Sequence, residues 1–182
     1  SIDLDNTLLD LNKEIPESTV KYLNDLKNSG NIIVINSGRT IGSSLKVTNQ
    51  AFFANYILGD TGSIIYDVEK KTIIEKSGID LKTGEEIFNI AKDNCVNFSI
   101  FSLEYGYYRY FNEEPKYIEN SCTRFFDFDY IINRNIDITH ISFKPKYQNM
   151  VSNFVDLLNK EFDCINSFAM VDSGDTEKWI EI

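Results

Sequence analysis

Two aspartates near the start of the chain have the spacing of an acidic catalytic pair. Asp3 and Asp5 are separated by one residue, at the end of a stretch that is typical of a β-strand. Alternate side chains of a strand point the same way, so both carboxylates can face one point. Two like charges held close repel each other unless a proton or a cation lies between them, and hard oxygen ligands suit Mg²⁺. The pattern predicts phosphoryl transfer, with one acid as nucleophile and the other as proton donor.

A second chemical segment follows the pattern of a buried strand. Residues 30–36 are mostly apolar and β-branched, and Ser37, Gly38 and Arg39 come directly after them. This is typical of a parallel strand that ends in a hydroxyl, a glycine and a cation. Alone, the Asp-x-Asp pattern could equally be a turn in which Asp, Asn and Thr cap backbone groups. The second segment favours the catalytic interpretation.

Together the two segments resemble motifs of the haloacid dehalogenase-like hydrolases, and more narrowly of the Cof-type sugar-phosphate phosphatases. Residues 3–9 are similar to the first motif of the family, with Asn6 where glycine is usual, and residues 37–39 are similar to the second motif. Two strand motifs in this order and at this separation are a specific signal.

Two further segments extend the resemblance over essentially the whole chain. Residues 58–67 are similar to the family's Asn-Gly-Ala-x-Ile-Tyr-Asp segment, with Asp60, Thr61 and Gly62 in place of Asn-Gly. Residues 179–182 are similar to the segment that closes the cap domain just before the third motif.

The resemblance implies a mechanism and a set of site residues. Asp3 would attack phosphorus and form an aspartyl-phosphate, while Asp5 would protonate the leaving alkoxide and then deprotonate the hydrolytic water. Mg²⁺ would bind the carboxylate of Asp3 and the backbone carbonyl of Asp5. The residues expected to bind phosphate or substrate are Thr7, Ser37, Gly38 and Arg39. For Arg39 two alternatives stay open, a link between core and cap or an ordinary surface ion pair.

The family's third motif, with its lysine, and its fourth, Gly-Asp-x-x-Asn-Asp, normally follow the cap and do not occur in this sequence. The sequence also begins at Ser1 and Ile2 in the middle of a predicted strand, so we expect both ends to be clipped, with about 60 residues of core missing at about 30 per strand–helix unit. Gly174-Asp175 could be mistaken for the fourth motif, but a hairpin turn is expected there. Asp60 is expected to be structural, with contact to metal or substrate as the alternative. The 182 residues alone are expected to bind Mg²⁺ weakly and to turn over very slowly.

The order of elements predicts an α/β fold: an incomplete Rossmann-like parallel-sheet core over residues 1–79 and an inserted α+β cap over residues 80–182. Ligands of parallel sheets bind at the carboxyl ends of the strands, where the candidate site residues all lie. The predicted elements are a helix opened by Pro16, strands 32–36 and 56–58, a hairpin over 64–75, helices 85–94 and 148–162, and strands 97–103, 107–111 and 138–143.

Several other residues are expected to be structural. The aromatic residues at positions 105, 107, 108, 110 and 111 are expected to pack a sheet, with a sugar-binding surface as the alternative. Residues 125–130 repeat the Asp-x-Asp spacing at Asp127 and Asp129 but are expected to be a solvated edge or loop. His140, the only histidine, is expected to be half-buried or on the surface.

Composition limits the classes of partner. The net charge of −10 argues against non-specific binding to nucleic acids and to anionic membranes, and no apolar run is long enough to span a bilayer. Cys95, Cys122 and Cys164 do not form a disulfide or zinc pattern, so free thiols in the cytoplasm are expected. A small phosphorylated metabolite is the expected partner, and the oligomeric state cannot be predicted. Two alternative functions stay open: a phosphotransferase or mutase, and a non-catalytic binding protein on the same fold.

Overall fold

The computed structural model describes residues 1–49, 52–103, 106–111, 122–145, 150–162, 168–171 and 178–182. The chain divides into two compact units, Ser1–Ser77 and Gly78–Ile182. The assignment of these units to a hydrolase core and a cap stays a prediction. None of the helices within the described ranges is both long and apolar enough to cross a membrane.

The first unit carries a mixed sheet. Its helices are α1 (Glu17–Asn28) and α2 (Ile41–Val47), and its strands are β1 (Val34–Asn36), β2 (Tyr56–Gly59), β3 (Ile64–Asp67) and β4 (Thr72–Lys76). The strand order is β1-β2-β3-β4, with β1 and β2 parallel and the other pairs antiparallel. Ile2 adds a parallel bridge to Ile35 on the free side of β1. The predicted order of strand, helix and parallel strand is confirmed.

Local sequence signals explain where the helices of this unit begin. Helix α1 follows Pro16, whose carbonyl accepts from the backbone N–H of Val20 over 3.0 Å and whose missing N–H costs nothing at this position. Helix α2 follows Thr40, whose Oγ1 accepts from the backbone N–H of Ser43 over 3.2 Å. Helix α2 therefore starts two residues after the Ser37–Arg39 segment ends. The start of the helix and this segment both lie beside the ends of β1 and β2.

The second unit is a six-stranded sheet with three helices. The helices are α3 (Leu81–Asp93), α4 (Asp129–Ile132) and α5 (Val151–Glu161), and the strands are β5 (Val96–Ser102), β6 (Gly106–Tyr110), β7 (Cys122–Arg124), β8 (His140–Pro145), β9 (Phe168–Val171) and β10 (Lys178–Glu181). The strand order is β7-β6-β5-β8-β10-β9, and β6–β7 is its parallel pair. The predicted mixed α/β fold is confirmed. The hairpin expected at Gly174-Asp175 lies outside the described residues.

Aromatic side chains fill the core of the second unit. The ring of Phe88 on α3 lies 5.4 Å from Phe98 and 5.5 Å from Phe128, measured between centroids. Such edge and tilted contacts add to the burial of large apolar surfaces. The expectation that residues 125–130 are a solvated edge or loop is wrong, because Phe125 and Phe128 are each only 1% exposed and Asp129 and Tyr130 begin helix α4.

The aromatic residues of β6 follow the packing interpretation where the structure describes their side chains. Tyr108 is 5% exposed, and the ring of Tyr110 lies 4.9 Å from that of Phe88. Tyr105 lies outside the described residues, and of Tyr107 only the backbone is described. Phe111 differs, because its ring contacts the guanidinium groups of Arg109 and Arg124.

The expectation for His140 is wrong. Its side chain is 4% exposed and stacks on the ring of Phe101 with a centroid distance of 3.9 Å. The register explains this, because Phe101 of β5 lies directly opposite His140 of β8 in the middle of the sheet. Burial lowers the pKa of His140 to about 4, since a charged imidazolium loses its hydration there.

Candidate active site

Asp5 lies in a loop that brings its carboxylate to the end of the first unit's sheet. Its chain segment leaves the sheet after the bridge at Ile2, and the backbone N–H of Leu9 closes the loop by donating to the carbonyl of Leu4 over 2.9 Å. Leu4 and Leu8 are buried on either side of the polar residues. Burial of these two leucines thus fixes the acidic segment against the core of the first unit.

The side chain of Asp5 is bound by two cations. The guanidinium of Arg39 donates from Nε to Oδ2 over 2.7 Å and from Nη2 to Oδ1 over 2.8 Å. Lys13 donates from Nζ to Oδ1 over 3.2 Å. A two-point contact of this kind fixes the plane of the carboxylate as well as its position. The surface ion pair that the sequence left open for Arg39 is therefore a half-buried pair with the candidate catalytic acid.

The hydrogen bonds of Arg39 lower the pKa of the Asp5 carboxyl to about 2, and Lys13 acts in the same direction while partial burial opposes both. The same contact raises the pKa of Arg39. At neutral pH the Asp5 side chain is therefore a carboxylate and a weak base, which holds a proton poorly in this state.

Asp3 has a different environment from Asp5. Its side chain is exposed, and Thr7 donates from Oγ1 to its Oδ2 over a long 3.4 Å. Asn6, which lies between Asp3 and Thr7 in the sequence, has φ 60°, a left-handed conformation that asparagine tolerates better than most residues. Asparagine is therefore compatible with the position where the family usually has glycine.

Ser37 and Gly38 lie at the end of β1. Ser37 is 6% exposed, its backbone N–H donates to the carbonyl of Leu58 over 2.9 Å, and its Oγ accepts from the backbone N–H of Arg39 over 3.2 Å. Gly38 is exposed, and a Cβ at this position would meet only Thr61 Oγ1, at 3.9 Å. The serine hydroxyl thus orders the turn that delivers Arg39 to Asp5.

Asp60 is a structural residue in this arrangement. It is 1% exposed, its Oδ2 accepts from the backbone N–H of Ile41 over 3.1 Å, and its own backbone N–H donates to the carbonyl of Arg39 over 2.8 Å. It ties the start of α2 and the residue that binds Asp5 to the end of β2. These contacts support the structural interpretation of Asp60 and make its role more specific than a turn.

The residues present fit a metal ligand at Asp3 better than at the carboxylate of Asp5. The exposed Asp3 carboxylate is a hard oxygen donor of the kind that Mg²⁺ prefers. The Asp5 carboxylate already binds Arg39 and Lys13, so its backbone carbonyl, the ligand that the resemblance implies, is the atom that fits. In the described part of the chain no three His, Cys, Asp or Glu side chains are grouped as a metal site.

Sequence reasoning missed Lys13. It lies in a polar loop before α1 rather than at the end of a strand, so the strand-end rule does not point to it. The only available signal was a lone lysine in a segment rich in acids, which is too common a feature to single out.

Comparison with known proteins gives a family and a fold. The family model described as haloacid dehalogenase-like hydrolase matches residues 1–174. No curated protein matches this sequence.

Several solved structures have the same fold at low sequence identity. A phosphatase of the haloalkanoate enzyme superfamily from Bacteroides thetaiotaomicron has a TM-score of 0.74 at 16% identity, covering 98% of this chain and 63% of its own. A haloacid dehalogenase-like hydrolase from B. subtilis has a TM-score of 0.71 at 13% identity, covering 99% and 71%. A sugar phosphatase of subclass IIB has a TM-score of 0.65 at 14% identity, covering 98% and 67%.

The chain thus spans about two thirds of the length of these structures, and the match of residues 1–174 covers nearly all of its own sequence. The two motifs read from the sequence, the fold and the family match agree. This chain belongs to the haloacid dehalogenase-like hydrolases.

Proposed function

We propose that the protein carrying this chain is a Mg²⁺-dependent phosphatase of small phosphorylated metabolites. One observation carries the proposal: Arg39 and Asp5, 34 residues apart in the sequence and in separate motifs, form a two-point ion pair beside the exposed Asp3. The names of the structural neighbours, a sugar phosphatase among them, support this substrate class. The acidic surface supports a small ligand rather than a nucleic acid or a membrane. A location in the cytoplasm stays a prediction.

In this proposal Asp3 is the nucleophile. Its exposed carboxylate can reach an incoming phosphate, and Thr7 orients one of its oxygens. Attack on phosphorus forms an aspartyl-phosphate and releases an alkoxide, and hydrolysis of this acyl phosphate by water releases inorganic phosphate and restores Asp3. A bound Mg²⁺, held by the Asp3 carboxylate and the Asp5 carbonyl, would lower the repulsion between the nucleophile and the phosphate.

Asp5 is the proposed acid and base. To protonate the alkoxide it must hold a proton, and with a pKa of about 2 it does not do so at neutral pH in the ion-paired state. If the guanidinium of Arg39 turns to the substrate phosphate, Asp5 loses the contact that lowers its pKa most, so its pKa rises toward the ordinary value and it becomes a better proton carrier. The pair seen here is then the resting form of the site.

The remaining site residues have supporting roles in phosphate binding. Ser37 donates its hydroxyl to a phosphate oxygen, Gly38 allows close approach of the backbone, and Thr7 adds a second hydroxyl near Asp3. The exposure of Gly38 and Thr7 supports this assignment. Ser37 has the further task of holding the turn before Arg39.

The test is a panel of sugar and other small phosphate monoesters, assayed with and without Mg²⁺ on the native protein that carries the chain. Asp3→Asn removes the nucleophile, so we expect kcat to fall by about 10³-fold or more while the fold is kept. Asp25→Asn, which changes an exposed acid on α1, is the matched control and should retain wild-type rates. Full activity in Asp3→Asn would disprove the mechanism, and ligand binding without turnover in the wild type would favour the binding-protein alternative.

A further inference from the structure

Lys13 is part of the cluster around Asp5, although neither motif contains it. Its Nζ lies 3.2 Å from Asp5 Oδ1, the same oxygen that accepts from Arg39 Nη2. Oδ2 accepts from Arg39 Nε. Two cations, 8 and 34 residues after Asp5 in the sequence, therefore converge on one carboxylate.

The loop that carries Lys13 is well defined. Asp10 closes it through its backbone, donating to the carbonyl of Glu14 over 2.8 Å and accepting from the N–H of Lys13 over 3.0 Å. Its side chain also accepts from the backbone N–H groups of Asn12 over 2.8 Å and Glu14 over 2.9 Å. A loop fixed by four hydrogen bonds to one residue gives the lysine a defined direction.

The backbone of Lys13 is left-handed, with φ 63°. Glycine or asparagine adopts this conformation more easily than lysine, so a lysine here carries a conformational cost. If this position served only the conformation of the loop, glycine would suit it better. The lysine side chain that is present instead reaches Asp5.

We infer that Lys13 is a positioning residue for Asp5, a role that rests on the proposed phosphatase function. Arg39 cannot give the same N–H groups to Asp5 and to a substrate phosphate at once. Lys13 keeps its hold on Oδ1 when Arg39 turns to the substrate, so the carboxylate stays aimed at the leaving group. It acts through Asp5 and touches neither phosphorus nor the leaving oxygen.

The opposite interpretation is an ordinary surface ion pair, since Lys13 is 57% exposed. The chain offers a matched control for it. Lys70 forms an ion pair with Asp67 at the same 3.2 Å, also within a turn. In the antiparallel register of β2 and β3, Asp67 lies opposite Tyr56 at the start of β2. This is the other end of β2 from Gly59, which precedes Asp60. An effect confined to Lys13 cannot be due to loss of a surface pair in general.

The kinetic test uses p-nitrophenyl phosphate with Mg²⁺ and the native protein that carries the chain. We expect Lys13→Gln to lower kcat by about tenfold or more with KM changed by less than about twofold, because a misaimed acid slows chemistry rather than binding. Lys13→Arg should recover most of that loss, and Lys70→Gln should stay within about twofold of the wild type. Wild-type kcat in Lys13→Gln, or an equal loss in Lys70→Gln, would overturn the inference.

A second readout does not depend on activity. Solvent exchange of the Arg39 Nε–H, followed by NMR without substrate, should be faster in Lys13→Gln than in the wild type and in Lys70→Gln, since Asp5 is then held from one side only. If the wild type hydrolyses no phosphate ester, the proposed function fails while this measurement still decides whether Lys13 positions Asp5. Unchanged exchange would refute the role on its own.

Discussion

At the scale of single residues, the folded environment changes the pKa of groups that the sequence presents as ordinary. Asp5 and His140 both have lowered pKa values, but for different reasons: Asp5 gains two cationic partners, and His140 loses water. Both partners of Asp5 were missed in the sequence, because Arg39 was assigned to phosphate binding and Lys13 lies outside the motifs. The burial of His140 was missed because alternation along one strand does not reveal which strands cover it.

The pH dependence of stability follows from His140. The unfolded chain binds a proton below about pH 6.5, whereas the folded protein does so only below about pH 4. Stability is therefore complete above the unfolded pKa and falls as the pH drops through this window. Between pH 7 and pH 5 we expect a loss of about 2 kcal/mol in the free energy of unfolding, measured by urea denaturation.

The control for this prediction is His140→Phe. It keeps an aromatic ring against Phe101 and removes the titrating group, and the sequence has no other histidine. The variant should lose most of the change between pH 7 and pH 5. If wild type and variant lose stability equally, the imidazole is not the cause.

At the scale of elements, the strands were predictable and the helix starts less so. Alternating or continuous apolar runs located β1, β2, β5 and β8 to within a few residues. Helix α3 begins at Leu81 rather than at the predicted Glu85, because Asp80 caps it by accepting from the backbone N–H of Thr83 over 3.0 Å. A glycine in the first turn, Gly84, obscured that start in the sequence.

Gly84 is required by packing rather than by backbone conformation. A Cβ there would lie 2.7 Å from Ile138 Cδ1 and 3.0 Å from Phe128 Cζ. Gly84→Ala gains helix propensity of about 1 kcal/mol, but overpacking costs about 1–3 kcal/mol, so we expect net destabilisation of about 1 kcal/mol. Thermal and urea unfolding measure the change.

Gly42→Ala is the matched control for this prediction, because it makes the same substitution in helix α2, where a Cβ would meet nothing within 4 Å. It should stabilise the protein by about 0.5–1 kcal/mol. If both variants raise the free energy of unfolding, helix propensity, and not contact with Ile138 and Phe128, decides the outcome.

At the scale of the whole molecule, the sequence predicted the fold class because motif order and strand–helix alternation are properties of the entire chain. It failed where distant segments complete a core. Phe125 and Phe128 join the rings of α3 and β5 across a large sequence separation, and only the polar spacing of their neighbours was visible locally. The same limit applies to the site, where the strand ends were foreseen and the contact of Lys13 with Asp5 was not.

The second unit contains a complete core of its own, which leads to a prediction about autonomy. All buried residues of its aromatic and aliphatic cluster lie between Ile87 and Ile180, and the partly buried residues packed against them lie between Ile79 and Ile182. A fragment of residues 78–182 should therefore unfold cooperatively, as followed by circular dichroism and near-ultraviolet aromatic signals. A fragment of residues 78–171 lacks β10, which lies between β8 and β9 and contributes the fully buried Ile180. That shorter fragment should lose the cooperative transition, and a non-cooperative melt of the longer one would show that the cluster needs the first unit.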